Sequence, residues 1–464
     1  MKRAALHNLG CKVNAYETEA MQQLLEEAGY EIVDFHEKAD VYVINTCSVT
    51  NIADRKSRQM LHRARRQNPG ALLVAAGCYV QAKGPEISKE GIADIILGNN
   101  KKQHLISMIE QFQRQKNSPK VLTDWEDIND GVAEYEPLTV TRQAGHTRAF
   151  LKIQDGCNQF CSYCIIPYAR GRVRSRNADE IITEAGRLAD SGCREIVLTG
   201  IHISSYGTDA AKPSGQGLLE LLQAVSRIEG IARIRLGSLE PGIVTEEFAA
   251  ALAGMEKICP HFHLSLQSGC DSVLKRMNRR YTSAEYAARC DILRRHFSNP
   301  AITTDVITGF PGETEEEFRQ TMQFLDNIQL YGMHVFPYSK RAGTKAAAMD
   351  GQVLEAVKAA RGAQLRKLGE QMSERYRETF AGQVKSVLLE EPFLYEGIQY
   401  FTGYTKEYVK IAVKSEKDRT NSFATGKITG QEMFILWLNF NAGYIKIKTV
   451  MLWMKQTKEA GMRS

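Results

Sequence analysis

A chain of 464 residues is too long for one ordinary hydrophobic core and predicts two to four domains. Charged residues at 25% and hydrophobic residues at 43% exclude a disordered or fibrous chain, and a formal charge of +6 tolerates a polyanion without requiring one. The ten cysteines are spread thinly over the first 290 residues, which excludes a small secreted disulfide scaffold and favours a reducing cytoplasm. The N-terminus has two basic residues but no apolar stretch of the kind a signal peptide needs. No apolar run reaches the ~18 residues of a membrane span. Residues 434–453 come nearest, and Asn439, Asn441, Lys446 and Lys448 interrupt them.

In chain order, the first segment alternates strand and helix. Residues 4–8 form a short apolar run closed by Leu9-Gly10-Cys11. A helix is predicted next, with Asn14 as N-cap and Glu17 completing a capping box. Met21, Leu24, Leu25 and Ala28 share its apolar face, and Gly29 ends it. Residues 41–44 read as a buried strand ending in Asn45-Thr46-Cys47, and residues 71–76 as another ending in Gly77-Cys78. Between them a helix over about 55–67 carries Arg55, Lys56, Arg58, Arg63, Arg65 and Arg66, a solvated face or a phosphate-binding one. Cys11, Cys47 and Cys78 each follow a strand. In an open parallel α/β sheet those ends share one edge, so the three thiols can converge on an iron–sulfur cluster. Three small residues filling loop ends would give the same pattern. Residues 111–147 lack a clear period and read as a connector.

The next segment opens on Cys157, Cys161 and Cys164 in CxxxCxxC spacing. Three thiolates are one short of a structural zinc site but suit a four-iron cluster with one iron left open. Spacing alone leaves a zinc knuckle or free thiols as alternatives. Strand candidates recur at 149–153, 195–199, 233–236, 262–266, 302–307 and 333–336. Helical stretches fall near 178–190, 217–228, 245–253, 282–296 and 313–327. Six such units predict a partial, open (β/α)6 barrel whose function lies at the carboxyl ends of its strands. Polar and glycine residues stand at those ends: Thr199-Gly200, Glu240 and Gln267. The turn Gly309-Phe310-Pro311-Gly312 reads as a loop former. Cys193, Cys259, Cys270 and Cys290 follow no ligand spacing and read as core, with Cys270 beside the Gln267 loop. Basic groups at Arg170, Arg172, Arg174 and Arg176, at Lys275, Arg276, Arg279 and Arg280, and at Lys340 and Arg341 read as an RNA-facing mouth.

The strings GCKVN, NTCSVT, GCYVQ, GCNQFCSYCIIPYARGRVRSR, HLSLQSGCDSVLKRMNRRYT, TTDVITGFPGETEEEF and FPYSKRAGTKAA resemble the radical S-adenosylmethionine (SAM) methylthiotransferases, in the branch that modifies threonylcarbamoyladenosine in tRNA. The similarity runs from residue 5 to about 348. It implies a cluster-binding domain over 1–135, a radical SAM domain over 143–375 and two [4Fe-4S] clusters. One would sit on Cys157, Cys161 and Cys164 and cleave SAM. The other, on Cys11, Cys47 and Cys78, would supply sulfur. It also implies SAM contacts from Thr199, Gly200, Glu240 and Gln267, with Tyr163 near the adenine. Expected partners are the tRNA anticodon loop, an electron donor such as flavodoxin or ferredoxin, and a sulfur source, with no membrane.

Leu354, Val357, Arg361, Leu365, Leu368, Met372 and Tyr376 step by three and four along one long helix. Beyond about 382 the period becomes two, with Val409, Ile411 and Val413 alternating. GYTKEYVKIAV resembles part of the family's RNA-binding TRAM barrel, which is expected over 378–446. After about 415 the resemblance fails, and residues 431–464 lack the family's closing strands. If the barrel cannot close without them, the β module is incomplete and its edges are exposed.

Overall fold

The computed structural model describes residues 1–115, 121–130, 134–142, 147–210, 214–432 and 435–439, and beyond 429 it describes the backbone alone. Of the apolar stretch 434–453, only residues 435–439 are among the described residues. Among these, no helix is long and apolar enough to cross a membrane.

The first unit is β1 (Arg3–Asn8), α1 (Lys12–Glu27), β2 (Glu31–Ile32), β3 (Val41–Thr46), α2 (Asn51–Gln67), β4 (Leu72–Gly77), α3 (Cys78–Glu90), β5 (Ile95–Leu97), α4 (Leu105–Arg114) and β6 (Leu122–Asp124). Its six strands are all parallel, in the order β2-β1-β3-β4-β5-β6. VYVINT and LLVAAG are buried along their whole length, as strands covered on both faces must be. The order reverses at β1 and β3, which opens a crevice at their carboxyl ends. β6, only three residues long, lies in the stretch read as an aperiodic connector. The helix α1 starts earlier than expected. Cys11 is its N-cap, and Asn14 and Glu17 are inside it and buried. Their side chains make tertiary contacts where a capping box was expected.

The second unit is β7 (Arg148–Asp155), α5 (Ile166–Arg170), β8 (Arg174–Ser175), α6 (Ala178–Asp190), β9 (Glu195–Gly200), α7 (Gln216–Ser226), β10 (Arg233–Leu236), α8 (Glu246–Ala253), β11 (His261–His263), α9 (Asp271–Arg276), α10 (Ser283–His296), β12 (Ala301–Thr308), α11 (Glu315–Ile328) and β13 (Gly332–Pro337). The strands β7, β9 and β10 pair in parallel, as do β11, β12 and β13. Bridges Ile234 to Ile258 and Leu239 to Leu264 join the two sets. The result is a six-stranded parallel half-barrel, with β8 added antiparallel at the β7 edge. Helices start where Asn177, Thr245, Thr282 and Thr314 accept from the first turn, the last two with full capping boxes to Glu285 and Glu317.

The long helix α12 (Glu355–Glu378) packs Leu365, Leu368 and Met372 into the barrel core. It leads to β14 (Val384–Tyr395), β15 (Ile398–Tyr404), β16 (Lys410–Lys414), β17 (Phe423–Glu432) and β18 (Ile435–Asn439). These close into a barrel in the order β14-β15-β16-β18-β17. Closure corrects the expectation of an incomplete module. The strand β18 pairs antiparallel with β17 and parallel with β16, which removes both edges. The small barrel is fastened to the strand starts of the large one. Arg233 donates to the carbonyls of Tyr404 and Ser386, Arg148 pairs with Glu390 at 2.9 Å, and the rings of His261 and Tyr408 stack at 4.9 Å.

A buried charge cluster joins the first two units. From the first come Glu17 and Lys102, from the connector Glu136, and from the second Lys152, Asp155 and Arg170, all close to fully buried. Arg170 meets Glu17 at 2.6 Å and Asp155 at 3.0 Å. Lys152 meets the same two at 2.8 and 2.6 Å, and Lys102 reaches Glu17 at 3.3 Å and Glu136 at 3.8 Å. Three cations thus answer three carboxylates. Burial pushes the Glu17 and Asp155 carboxyls up, but Arg170 and the lysines outweigh it and hold both well below the usual carboxylate range. With both depressed, their contribution is whole above about pH 5 and fades as the pH falls toward and below ~4. Glu17→Ala would leave buried cations short of a partner. It should cost about 3–5 kcal/mol, read as a lowered thermal midpoint at neutral pH. A midpoint equal to that of the parent protein would contradict this account.

Candidate functional site

The loop carrying Cys157, Cys161 and Cys164 leaves the carboxyl end of β7. Gly156 makes its turn at φ +72°, where a Cβ would lie 1.8 Å from the Arg172 carbonyl oxygen. The loop is held from several sides. Cys157 N–H donates to the Gly171 carbonyl, Ser162 N–H to that of Met277, and Cys164 N–H to that of Cys161, each at 3.0 Å. Ala346 N–H donates to Ser162 at 2.8 Å, and Asn278 donates to the Phe160 carbonyl. The three thiols are free and partly exposed. A cavity of about 110 Å³ opens against Cys161 and Cys164, lined also by Phe160, Tyr168, Thr344 and Lys345. Burial pushes the Cys157 thiol up to about 11 and Cys164 to about 12, so binding a metal there must displace protons. Three free thiols on a braced loop beside a cavity fit a cluster with one open iron.

Arg279 organises this mouth. It donates to the Cys161 sulfur at 3.2 Å and to both Glu240 oxygens at 3.0 and 2.8 Å, and its Nε donates to the Tyr281 hydroxyl. Tyr281 in turn donates to the Ser265 and Leu266 carbonyls just past the end of β11. Glu240 has His202 at 3.7 Å. Burial raises the Glu240 carboxyl, but His202 and Arg279 prevail and lower it below its ordinary value. Glu240, an expected SAM contact, is held by an arginine. Sequence reading had assigned Arg279 to an RNA-facing patch. Nothing in a run of basic residues says that one of them has a carboxylate partner 39 positions away.

The other expected contacts gather at the same rim. Thr199 is buried, and Gly200 packs so closely that a Cβ would lie 2.9 Å from the Gln154 carbonyl oxygen. The Gln154 side chain donates to the Asp155 and Gly156 carbonyls and accepts from His202 N–H, tying the end of β9 to the cysteine loop. Gln267 holds φ +72°, a strained conformation for a residue other than glycine. Tyr163 packs edge-on against Phe310, which itself meets Tyr338, so the Gly-Phe-Pro-Gly turn also buttresses the cysteine loop. Cys193, Cys259, Cys270 and Cys290 are buried.

Cys11, Cys47 and Cys78 come together at the carboxyl edge of the first sheet. Each thiol acts electrostatically on another of the set, and a Cβ on Gly10 would lie 2.9 Å from the Cys47 sulfur. Burial pushes the Cys47 thiol up to about 11. The edge faces the barrel mouth. Arg170, directly after the first cysteine loop, donates to the Cys78 sulfur at 3.2 Å and to Asn14 at 2.7 Å. Arg341, after β13, donates to Ser48, Asn51 and Asp54 around Cys47. Arg174 and Arg176 are also buried. Of the expected RNA-facing groups, Arg172, Lys275, Arg280 and Lys340 are exposed, as are five basic residues of α2.

Arg279→Met would strand the Glu240 carboxylate in a nearly closed pocket, at a cost of about 3–5 kcal/mol. Adding Glu240→Gln should recover part of the loss. Equal thermal midpoints for Arg279→Met and the parent would show that the pair carries no such weight.

The Radical SAM superfamily model matches residues 151–325, and the model described as Uncharacterized protein family UPF0004 matches residues 3–98. The chain is 44% identical over 435 residues to a threonylcarbamoyladenosine tRNA methylthiotransferase MtaB of Bacillus subtilis, an alignment covering 92% of this chain and 94% of that one. It is 39% identical to the MtaB of Aquifex aeolicus, covering 84% and 93%. It is 35% identical to a tRNA-2-methylthio-N(6)-dimethylallyladenosine synthase of Clostridium novyi, covering 94% and 96%. Among solved structures, the radical SAM methyltransferase TsrM of Kitasatospora setae shares the fold, with a TM-score of 0.54 at 17% identity over 73% of this chain and 75% of that one. A radical SAM domain works with SAM and a [4Fe-4S] cluster. The chain belongs to the radical SAM methylthiotransferase family.

Proposed function

We propose that the protein adds a methylthio group to C2 of N6-threonylcarbamoyladenosine beside the anticodon of tRNA. What carries the reading is the meeting of two cysteine triads across one cleft, with Arg170 running from the loop of the first triad to the sulfur of Cys78. A radical enzyme that only abstracted hydrogen would need one triad. A second set of three thiols facing the first suits a cluster that gives up sulfur. The MtaB relatives support the threonylcarbamoyl substrate.

In this reading Cys157, Cys161 and Cys164 hold the cluster that cleaves SAM, and Cys11, Cys47 and Cys78 hold the second. The cluster and SAM together supply a carbon radical able to take hydrogen from an unactivated C–H bond. The protein's own residues do the positioning. Arg279 fixes Glu240 and one cluster sulfur at once. Thr199, Gly200 and Gln267 form the rim for the methionine end of SAM, and Tyr163 braces the cysteine loop from behind. An anticodon-loop base is single-stranded and can enter such a mouth. A small electron-transfer protein such as flavodoxin or ferredoxin supplies electrons, and a separate donor restores the sulfur.

Anaerobically purified, reconstituted protein should hold about eight irons, and Cys78→Ala about four. Four in the parent would sink the two-cluster reading. Cys157→Ala should abolish 5′-deoxyadenosine formation from SAM, whereas persistence of that product would reassign the site. Nucleosides from a deletion strain should lose the methylthio form of threonylcarbamoyladenosine and keep that of the dimethylallyl nucleoside. The reverse pattern would overturn the substrate.

A further inference from the structure

The inner wall of the half-barrel carries side chains that neither cysteine set uses. His263 on β11, Asp305 on β12 and His334 on β13 stand on three neighbouring parallel strands, and the register puts them on one face. Asp305 pairs directly with His334, and His263 pairs with Thr303, two residues before Asp305 on the same side of β12. The other face of β13 is taken up, since Met333 and Val335 pack against the core to which α12 contributes. His334 and Phe336 therefore face the open side, and both are exposed.

One ligand atom from each of the three lies within 4.8 Å of the other two. Nε2 of His263 and a carboxylate oxygen of Asp305 are 3.4 Å apart, yet they are not hydrogen-bonded, and this Nε2 is buried without a partner. Two ligands of one tetrahedral zinc, each about 2.0–2.1 Å from it, stand roughly 3.4 Å from one another. The pair thus has the spacing of co-ligands, and His334, on an exposed side chain, has only to close the remaining gap. Nδ1 of His263 lies 3.1 Å from the Thr303 hydroxyl. With that hydroxyl accepting, the ring proton sits on Nδ1 and the Nε2 lone pair is free, as in a metal-bound histidine. Among the described residues, no lysine or arginine answers the Asp305 carboxylate.

We infer that His263, Asp305 and His334 bind a divalent transition-metal ion, zinc by preference, at a centre separate from both cysteine sets. Two imidazoles and one carboxylate suit zinc, whereas iron–sulfur clusters are held by thiolates. Three protein ligands leave one position open for water or for an oxygen of a bound molecule. The centre lies just under the mouth. Gln267 N–H donates to the Asp305 carbonyl at 2.9 Å, and His263 comes two residues before Ser265, whose carbonyl accepts from the Tyr281 hydroxyl.

The test is zinc uptake by the full-length protein, its cysteine sets loaded with iron beforehand, titrated against a chromophoric chelator. The parent should bind about one zinc per chain with no loss of iron. His334→Ala, a change at an exposed side chain, should load iron as the parent does and lose that zinc. Thr303→Val, which removes only the hydroxyl behind Nδ1, should weaken zinc binding by about 10–100-fold. Cobalt in place of zinc should give visible bands without sulfur-to-metal charge transfer, and His334→Ala should abolish them. A parent that takes up no zinc would overturn the assignment and leave the three residues a plain polar wall. Affinity unchanged in either variant, or zinc taken up only as iron is lost, would overturn it as well, by placing the ion elsewhere. If His334→Ala fails to load iron, Asp305→Asn makes the same comparison. None of these measurements uses tRNA, so their outcome is independent of the proposed substrate.

Discussion

The architecture depends on one guanidinium. Arg170 is fully buried, yet it touches Glu17, Asn14 and Cys78 of the first unit and Asp155 of its own. Taking a charge that far from water is costly, and only near-complete pairing makes it tolerable. The pairing comes from two units, so neither can satisfy it alone. Such clusters seldom add much stability over an apolar core. Their plainer effect is to forbid other arrangements, because a small rotation of the first sheet would leave several buried charges unanswered. The apolar packing agrees, since Tyr16 and Ala20 of α1 belong to the same core as Leu151, Ile153 and Leu198 of the barrel.

The two cysteine sets share an electrostatic design. In each, one sulfur receives a hydrogen bond from a buried arginine that is itself fixed by carboxylates. Arg170 reaches Cys78 and Arg279 reaches Cys161, both at 3.2 Å. Where thiolates hold iron, hydrogen bonds to their sulfurs are among the main levers on reduction potential. The carboxylates keep the arginines in place and temper their charge. Glu240, fixed between Arg279 and His202, is as much a part of the sulfur's surroundings as of the rim.

The strands and helices were legible because their periods are strong and their starts carry capping threonines, as at Thr282 and Thr314. The convergence of Cys11, Cys47 and Cys78 was legible because parallel strands share one carboxyl edge, although strand position alone left small loop-end residues as an equal reading. Five of the basic residues were misread. Arg170, Arg174, Arg176, Arg279 and Arg341 look in sequence like a polyanion surface, but their carboxylate partners lie on other elements. Asn14 and Glu17 were misread for the same reason: a capping box is a local pattern, and a distant arginine claimed both side chains. The closure of the small barrel was hidden because β18 pairs with strands from two different parts of the module. His263, Asp305 and His334, on three neighbouring strands, gave no signal at all, since isolated polar residues gain meaning only when a sheet aligns them.

The bracing of the first cysteine loop has a consequence for how the protein ages. The loop's shape is held by backbone bonds to Gly171, Met277 and Ala346 and by Asn278. Peptide groups therefore help to set its form, alongside any metal–sulfur bonds. In a small zinc domain, loss of the ion is loss of the fold. Here, when oxygen strips iron from the loop, those hydrogen bonds remain to brace it. Such damage calls for reloading by assembly machinery and gives a protease no unfolded chain to take up, so the lifetime of the polypeptide can exceed that of a cluster bound on this loop.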